Sequence, residues 1–366
     1  MNSAGPSQHE SPAPPGGSAA RKPVGPRQAG TGGCDARAAA SEPSTCGPRA
    51  AADAPGIDVA FPDISRWASG NVGVPYVWRF EAAASGPSVT VQALTHGNEV
   101  CGAIAVDWLL REGVRPRRGT LTLIFANAEA YESFDASDPY AARCIDEDFN
   151  RIWDEAVLDG ERRSRELARA RELRPFYDAT DLLLDLHSMT DACPALALAG
   201  RHRKGVELAK ALAIPEYIVV DVGHRAGKRL RDYAGFDDPH DARNALLVEC
   251  GQHWERRTPR VARQCTLRFL RHVDLVDPAF AAPQLDDAAI PPQRVIEITD
   301  VVTIASDAFD FAMPVSGMMT IGACGTLLAR DGDREIRTPY DDCVLIMPAR
   351  RPKQGETAVR LGRYVD

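Results

Sequence analysis

His96 and Glu99 stand three residues apart in VTVQALTHGNEV (Val89–Val100), where a short alternating strand stops at a turn and a helix begins. At that spacing a chain turning into a helix can aim an imidazole and a carboxylate at one point, which suits a zinc ion. His187, at the end of the apolar run DLLLDLH, supplies a third candidate ligand. Asp185 points to the same strand face as His187 and could take its second ring N–H, as carboxylates commonly do behind metal-bound histidines. Two histidines and a glutamate complete the protein ligands of an open catalytic zinc site, with one position left for water. Such an ion acidifies its water and polarises a carbonyl. The plainer alternative is an Asp–His pair that only stabilises a loop.

Attack by water needs a base. Glu249 ends the strand ALLVE, and a carboxylate after four apolar residues is either desolvated, with a raised pKa, or paired with a cation. We read it as the base. The cluster RCIDEDFNR (Arg143–Arg151) is too charged for a core. It is either a solvated loop with internal salt bridges or a substrate clamp. In the second reading Asn150 and Arg151 hold a carboxylate, since arginine offers a planar two-toothed fork, and Arg143 stabilises the oxyanion on the scissile carbonyl. Asp146, Glu147 and Asp148 would orient the two arginines. His202, His224, His240, His253 and His272 lie among polar residues and read as surface or capping groups.

These residues need a scaffold. Val89–Ala93, Thr120–Asn127, Asp181–His187, Tyr217–Asp221 and Asn244–Gly251 read as largely apolar strands. Val100–Val114, Arg162–Tyr177, Lys204–Ala213 and Trp254–Leu275 read as helices between them, the second so charged that it reads as a solvated face. Strands alternating with helices imply an α/β sheet covered on both faces, with ligands beyond the carboxyl ends of strands. His96, His187 and Glu249 all fall at such ends. After Pro278, short alternating segments separated by Gly, Pro and Asp read as a small all-β unit. The expected organisation is a disordered tail over 1–56, a catalytic α/β domain over 57–278, and a β domain over 279–366 that shapes access to the site.

Composition narrows the class. A 366-residue chain with 44% hydrophobic and 26% charged residues describes an ordinary globular protein, and its net charge of −8 gives no reason to expect nucleic acid. No apolar run approaches the roughly 18 residues of a membrane span, and no secretory signal core is present, so no membrane partner is expected. The nine cysteines are scattered singly without a C-x-x-C pair, which suggests free thiols in a reducing, cytoplasmic compartment. No P-loop, G-x-G-x-x-G turn or G-x-S-x-G elbow occurs. Nothing decides whether the protein forms a homo-oligomer.

In order along the chain, H-G-N-E, then R-x6-N-R, then D-L-H, then V-E-x-G resembles the succinylglutamate desuccinylase/aspartoacylase family, which is related to the zinc carboxypeptidases. The resemblance spans roughly Val89 to Gly251. It implies a zinc-carboxypeptidase-like mixed sheet flanked by helices, one zinc per subunit on His96, Glu99 and His187, and a water activated by Glu249. It also implies Arg143 as the carbonyl-polarising arginine, with Asn150 and Arg151 on the carboxylate of a small N-acyl amino acid. Two departures bear on substrate. D-L-H is followed by Ser188-Met189 rather than the Asn-Thr of aspartoacylase, and no arginine before Glu249 stands out as a second clamp. Arg231 and Arg243 are candidates, with Tyr233 as a pocket wall. The expected activity is removal of the acyl group; a carboxypeptidase-like peptidase or ester hydrolase, and a non-catalytic binding protein, are the rivals.

Overall fold

A computed structural model describes residues 56–286 and 290–365. The tail expected over 1–56 lies outside the described residues except for its last position. The strands are β1 Val77–Glu81, β2 Ser88–Ala93, β3 Thr120–Phe125, β4 Leu182–Met189, β5 Leu196–Leu198, β6 Tyr217–Val220 and β7 Asn244–Gln252. Toward the C-terminus follow β8 Arg294–Thr303, β9 Phe309–Phe311, β10 Thr320–Ile321, β11 Leu327–Asp331, β12 Arg334–Arg337, β13 Cys343–Ile346 and β14 Thr357–Val365. The helices are α1 Val100–Arg111, α2 Ala128–Glu132, α3 Glu155–Leu158, α4 Arg165–Asp178, α5 Arg203–Leu212, α6 Arg257–His272 and α7 Pro278–Ala281.

Eleven strands form one mixed sheet in the order β1-β3-β2-β4-β7-β5-β6-β8-β14-β13-β10, and β12-β11-β9 form a separate three-stranded sheet. The parallel centre, β3-β2-β4-β7, is buried along nearly its whole length, which is why its sequence is almost continuously apolar. β5 and β6 run opposite to β7. One large core, with α1 and α6 against β2, β4 and β7, holds Val91, Leu109, Leu186, Val248 and Phe269. A second core gathers Phe149, Trp153, Tyr177, Leu230, Tyr233 and Phe236. The C-terminal strands do not stand apart from the main sheet: β8 pairs in parallel with β6 and antiparallel with β14. No helix among the described residues is long and apolar enough to cross a membrane. Cys101, Cys193, Cys250, Cys265, Cys324 and Cys343 are free, but Cys144 is disulfide-bonded, against the expectation of thiols throughout.

Helix α4 corrects the reading of a merely solvated face. Glu166, in its first turn, is 1% exposed. Its Oε1 accepts from Ile145 N at 2.6 Å and Asn127 Nδ2 at 3.1 Å, and its Oε2 accepts from Asp146 N at 3.0 Å and Glu147 N at 3.3 Å. One carboxylate thereby anchors the backbone of the segment that carries Arg143, Asn150 and Arg151. Removing it strands buried donors, each worth about 1–3 kcal/mol. Glu166→Ala is expected to lower unfolding free energy by roughly 2–4 kcal/mol in urea titrations. Glu166→Gln, which keeps an acceptor, should lose less.

Candidate active site

The site begins at the end of β2. The chain turns at Thr95–Asn98 so that Glu99 N caps back onto His96 O at 3.1 Å, and α1 starts at Val100. Gly97 is required here: a Cβ would meet the backbone of Ala130, Tyr131 and Ala142 at 2.3–2.5 Å. His187 lies within β4 and stands in register beside Glu249 of β7, so both side chains rise from the same face of neighbouring strands. Asp185 sits two residues earlier on that face. The strand-end placement expected for Glu249 is thus displaced: β7 continues to Gln252.

Glu99 is the hub. His96 Nδ1 lies 2.7 Å from its Oε1, His187 Nδ1 lies 2.9 Å from its Oε2, and Ser188 N donates to Oε2 at 3.1 Å. All three side chains are buried, and their donor atoms lie within 4.8 Å of one another, so the group can hold a metal ion. The outer imidazole nitrogens face carboxylates: His96 Nε2 is 2.9 Å from Asp148 Oδ1, and His187 Nε2 is 2.9 Å from Asp185 Oδ2, though out of hydrogen-bond line. Inner nitrogens converging on one point, with carboxylates behind, form the donor set a zinc ion takes.

The electrostatics fit the same conclusion. Burial opposes charge on His187, but Asp185 and Glu99 outweigh it and raise its pKa well above the ordinary value. Burial likewise opposes the Glu99 anion, yet the two imidazoles hold its pKa well below the usual range. Glu249 goes the other way. Burial, with Glu99 nearby, pushes it up to about 8, and its Oε2 is buried without a hydrogen-bond partner. A carboxyl at that value is suited to taking and returning a proton near neutrality.

The arginines divide. Arg143 Nη2 donates to Asp148 Oδ2 at 3.0 Å and lies 2.9 Å from His96 Nε2, while its Nη1 is 3.4 Å from Glu99 Oε1. It stands at the ligand cluster, partly exposed. Arg151 Nη1 donates to Asn150 O at 2.7 Å. Asn150 Oδ1 accepts from Leu230 N at 2.9 Å, which leaves Nδ2 as the amide's donor. Of the three acids expected to orient these arginines, only Asp148 does so; Glu147 pairs with Arg162 at 2.8 Å and Asp146 accepts from Arg165 N at 2.7 Å. Asp148 also accepts from Asn150 N at 2.8 Å, so it joins the His–Glu–His group to the segment bearing Asn150 and Arg151.

The second-clamp candidates sit elsewhere. Arg231 is buried, donating to Ala199 O, Ala245 O and Asp232. Arg243 is bound to Asp241 at the start of β7, the opposite end of the strand from Glu249. Tyr233 packs on Trp153 and bonds Asp178 and Arg174. His253, expected at the surface, is buried and lies 2.8 Å from Ser188 Oγ through Nδ1. Cys250 is a buried thiol with a pKa raised by burial, consistent with a small hydrophobe.

A buried His–Glu–His group on a helix-flanked mixed sheet puts the chain in the carboxypeptidase-like class. Residues 85–273 match the model of the succinylglutamate desuccinylase/aspartoacylase catalytic domain, and the chain belongs to that family of acyl-amino-acid deacylases. Among solved structures, succinylglutamate desuccinylase from Vibrio parahaemolyticus is similar at TM-score 0.60 and 18% identity, covering 80% of this chain and 87% of that one. A succinylglutamate desuccinylase/aspartoacylase from Rhodobacter sphaeroides gives 0.56 and 17%, covering 79% and 89%. The product-bound ectoine utilization protein EutE from Ruegeria pomeroyi gives 0.53 and 16%, covering 78% and 87%. At these identities the likeness concerns the fold. Comparison with curated protein sequences finds no significant match.

Two measurements test this geometry. Asp148→Ala should weaken zinc binding about 10- to 100-fold in competition titrations, the usual cost of losing a carboxylate behind a ligand histidine. In metal-free protein, the folded state keeps the Glu249 proton up to about pH 8, whereas a free carboxyl has lost it above 4.5. Stability therefore falls as pH rises through that window, and Glu249→Gln should flatten the slope in thermal melts from pH 5 to 9.

Proposed function

We propose that the protein is a zinc-dependent amidohydrolase that removes the acyl group from a small N-acylated amino acid. The observation that carries this reading is the juxtaposition of His96, Glu99 and His187 with the desolvated Glu249 carboxyl, one strand away in register from His187. Membership of the deacylase family supports it. Zinc held by the three ligands would acidify a water and polarise the scissile carbonyl.

The chain's own groups account for the rest. Glu249 takes the proton of the attacking water as the oxygen bonds to the carbonyl carbon, and then delivers it to the amine nitrogen as the C–N bond breaks. Arg143, held toward the ligand cluster by Asp148, donates to the oxyanion that develops on the carbonyl oxygen. The Asn150 amide and the Arg151 guanidinium hold the substrate carboxylate and fix which amide bond meets Glu249. The chain from 279 onward serves as the β unit that narrows access to small substrates.

Glu249→Ala should lower kcat by several orders of magnitude while zinc content, measured by atomic absorption, stays stoichiometric. Near-normal turnover in that variant would overturn the assignment. Arg143→Ala should cost about 10²–10³ in kcat with little change in folding. A panel of N-acyl amino acids, with a peptide and an ester beside it, tests the substrate class; peptide turnover alone would favour a carboxypeptidase-like enzyme.

A further inference from the structure

Behind His187 runs a chain of buried neutral groups that the catalytic scheme leaves unused. Gln92 of β2 stands in register beside Asp185 of β4. Its Nε2 donates to Asp185 Oδ1 at 3.1 Å and to Thr95 Oγ1 at 2.7 Å. Thr95 Oγ1 in turn donates to Asp185 Oδ1 at 2.8 Å. At the far end, the Tyr177 hydroxyl of α4 donates to Gln92 Oε1. All four side chains are completely buried.

The polarity of this chain runs one way. Thr95 has a single hydroxyl proton, and because Gln92 fills its acceptor side, that proton goes to Asp185. Tyr177 orients the Gln92 amide: turned over, the amide would set its oxygen against the Asp185 carboxylate and leave the phenol proton facing an NH2 group. Both bonds to Asp185 therefore end on Oδ1. Its Oδ2 has no hydrogen-bond partner and lies 2.9 Å from His187 Nε2. The backbone is bent to make this possible. Side chains alternate along a strand, so Gln92 and Thr95 should point to opposite faces. Leu94, between them, takes a left-handed conformation with φ 60°, which is costly for a leucine. Alternation breaks there, and Thr95 reaches the same carboxylate as Gln92.

A neutral imidazole has one ring proton and one lone pair, and the partner of one nitrogen decides which is which. We propose that Tyr177, Gln92 and Thr95 are positioning residues that hold Asp185 as an anion turned toward His187, and so keep the ring proton on Nε2 and leave the Nδ1 lone pair for zinc. The inference rests on the zinc reading of His96, Glu99 and His187. The orientation of a ligand on β4 is thereby tied to a hydroxyl on α4, the helix whose Glu166 anchors the arginine segment. Neutral donors suit the task, because they satisfy a buried carboxylate without a cation that would compete with the imidazole for it. His96 is backed differently, by Asp148, which Arg143 also binds.

The test is zinc affinity, read by competition with a chromophoric chelator on metal-stripped protein. Thr95→Val keeps the shape of the side chain and removes the hydroxyl. It should weaken zinc binding about 10- to 100-fold, the range found when groups behind a ligand histidine are lost. Thr95→Ser, which keeps the hydroxyl, should bind zinc nearly as wild type does. Tyr177→Phe should lose affinity by a smaller factor, and it carries the test if Thr95→Val does not fold. Thr90→Val is the control for stability alone: Thr90 is also buried on β2, but its Oγ1 lies 2.7 Å from Thr180 Oγ1 and takes no part in the chain. That variant should unfold at lower urea concentration yet bind zinc like wild type. Equal affinity in wild type, Thr95→Val and Tyr177→Phe, or an equal loss in Thr90→Val, overturns the proposal. Wild-type protein that takes up no zinc overturns the zinc reading, and the Nδ1 assignment with it. Weakened zinc binding in Thr95→Val and Tyr177→Phe, with no N-acyl amino acid turned over by wild type, supports the positioning chain while the deacylase reading fails.

Discussion

The site depends on the Glu99 carboxylate being held, out of water, between two imidazoles. A buried carboxylate without partners would be costly, and this one is satisfied from three sides: His96, His187 and the Ser188 amide. Those three contacts tie the first residues of α1 to the end of β4. They are also contacts that a divalent cation can replace, since the inner ring nitrogens and both carboxylate oxygens already face one another. The requirements of folding, and those a metal ion would impose, therefore fall on the same atoms. The turn that carries His96 and Glu99 is itself packed closely, at Gly97, against the backbone of Ala130 and Ala142.

Behind the ligands lies a second layer in which carboxylates govern orientation. Asp185 and Asp148 stand behind the two imidazoles, Asp148 reaches on to Arg143 and Asn150, and Glu166 grips the backbone of residues 145–147 from α4. The chain of contacts runs from α4 through the arginine segment to the ligand group. A buried polar network is costly when partly satisfied and specific when complete. Here it fixes the loop that carries Arg143, Asn150 and Arg151.

Much of this was legible in the sequence because the signals were local. An imidazole and a carboxylate three apart after a strand, a D-L-H strand end, and a glutamate after four apolar residues each announce themselves within a few positions. The helix-flanked sheet followed from apolar runs of strand length, and the C-terminal β segments from alternation. What sequence reading missed depends on long-range contact. Glu166 looked like one more charge on a solvated helix, because the loop it binds is some twenty residues away in sequence. Arg231 looked free to clamp a substrate, but two backbone carbonyls claim it. His253 looked polar in context yet is buried against Ser188, the residue at which this chain departs from aspartoacylase.

The charges also separate by role. Carboxylates crowd around the His–Glu–His group, where Glu99, Asp148, Asp185 and Glu249 lie close to two imidazoles, a concentration that would suit a divalent cation. Arg151 and Arg229 stand on adjoining segments, joined where Leu230 N donates to Asn150 Oδ1. Arg143 spans the two, bonded to Asp148 and close to Glu99. At Glu249 the influences oppose each other: burial and Glu99 favour its proton, His187 and Arg143 favour its anion, and the first pair prevails. A carboxyl poised between these influences can change protonation state near neutrality, which a carboxylate firmly paired with an arginine could not do.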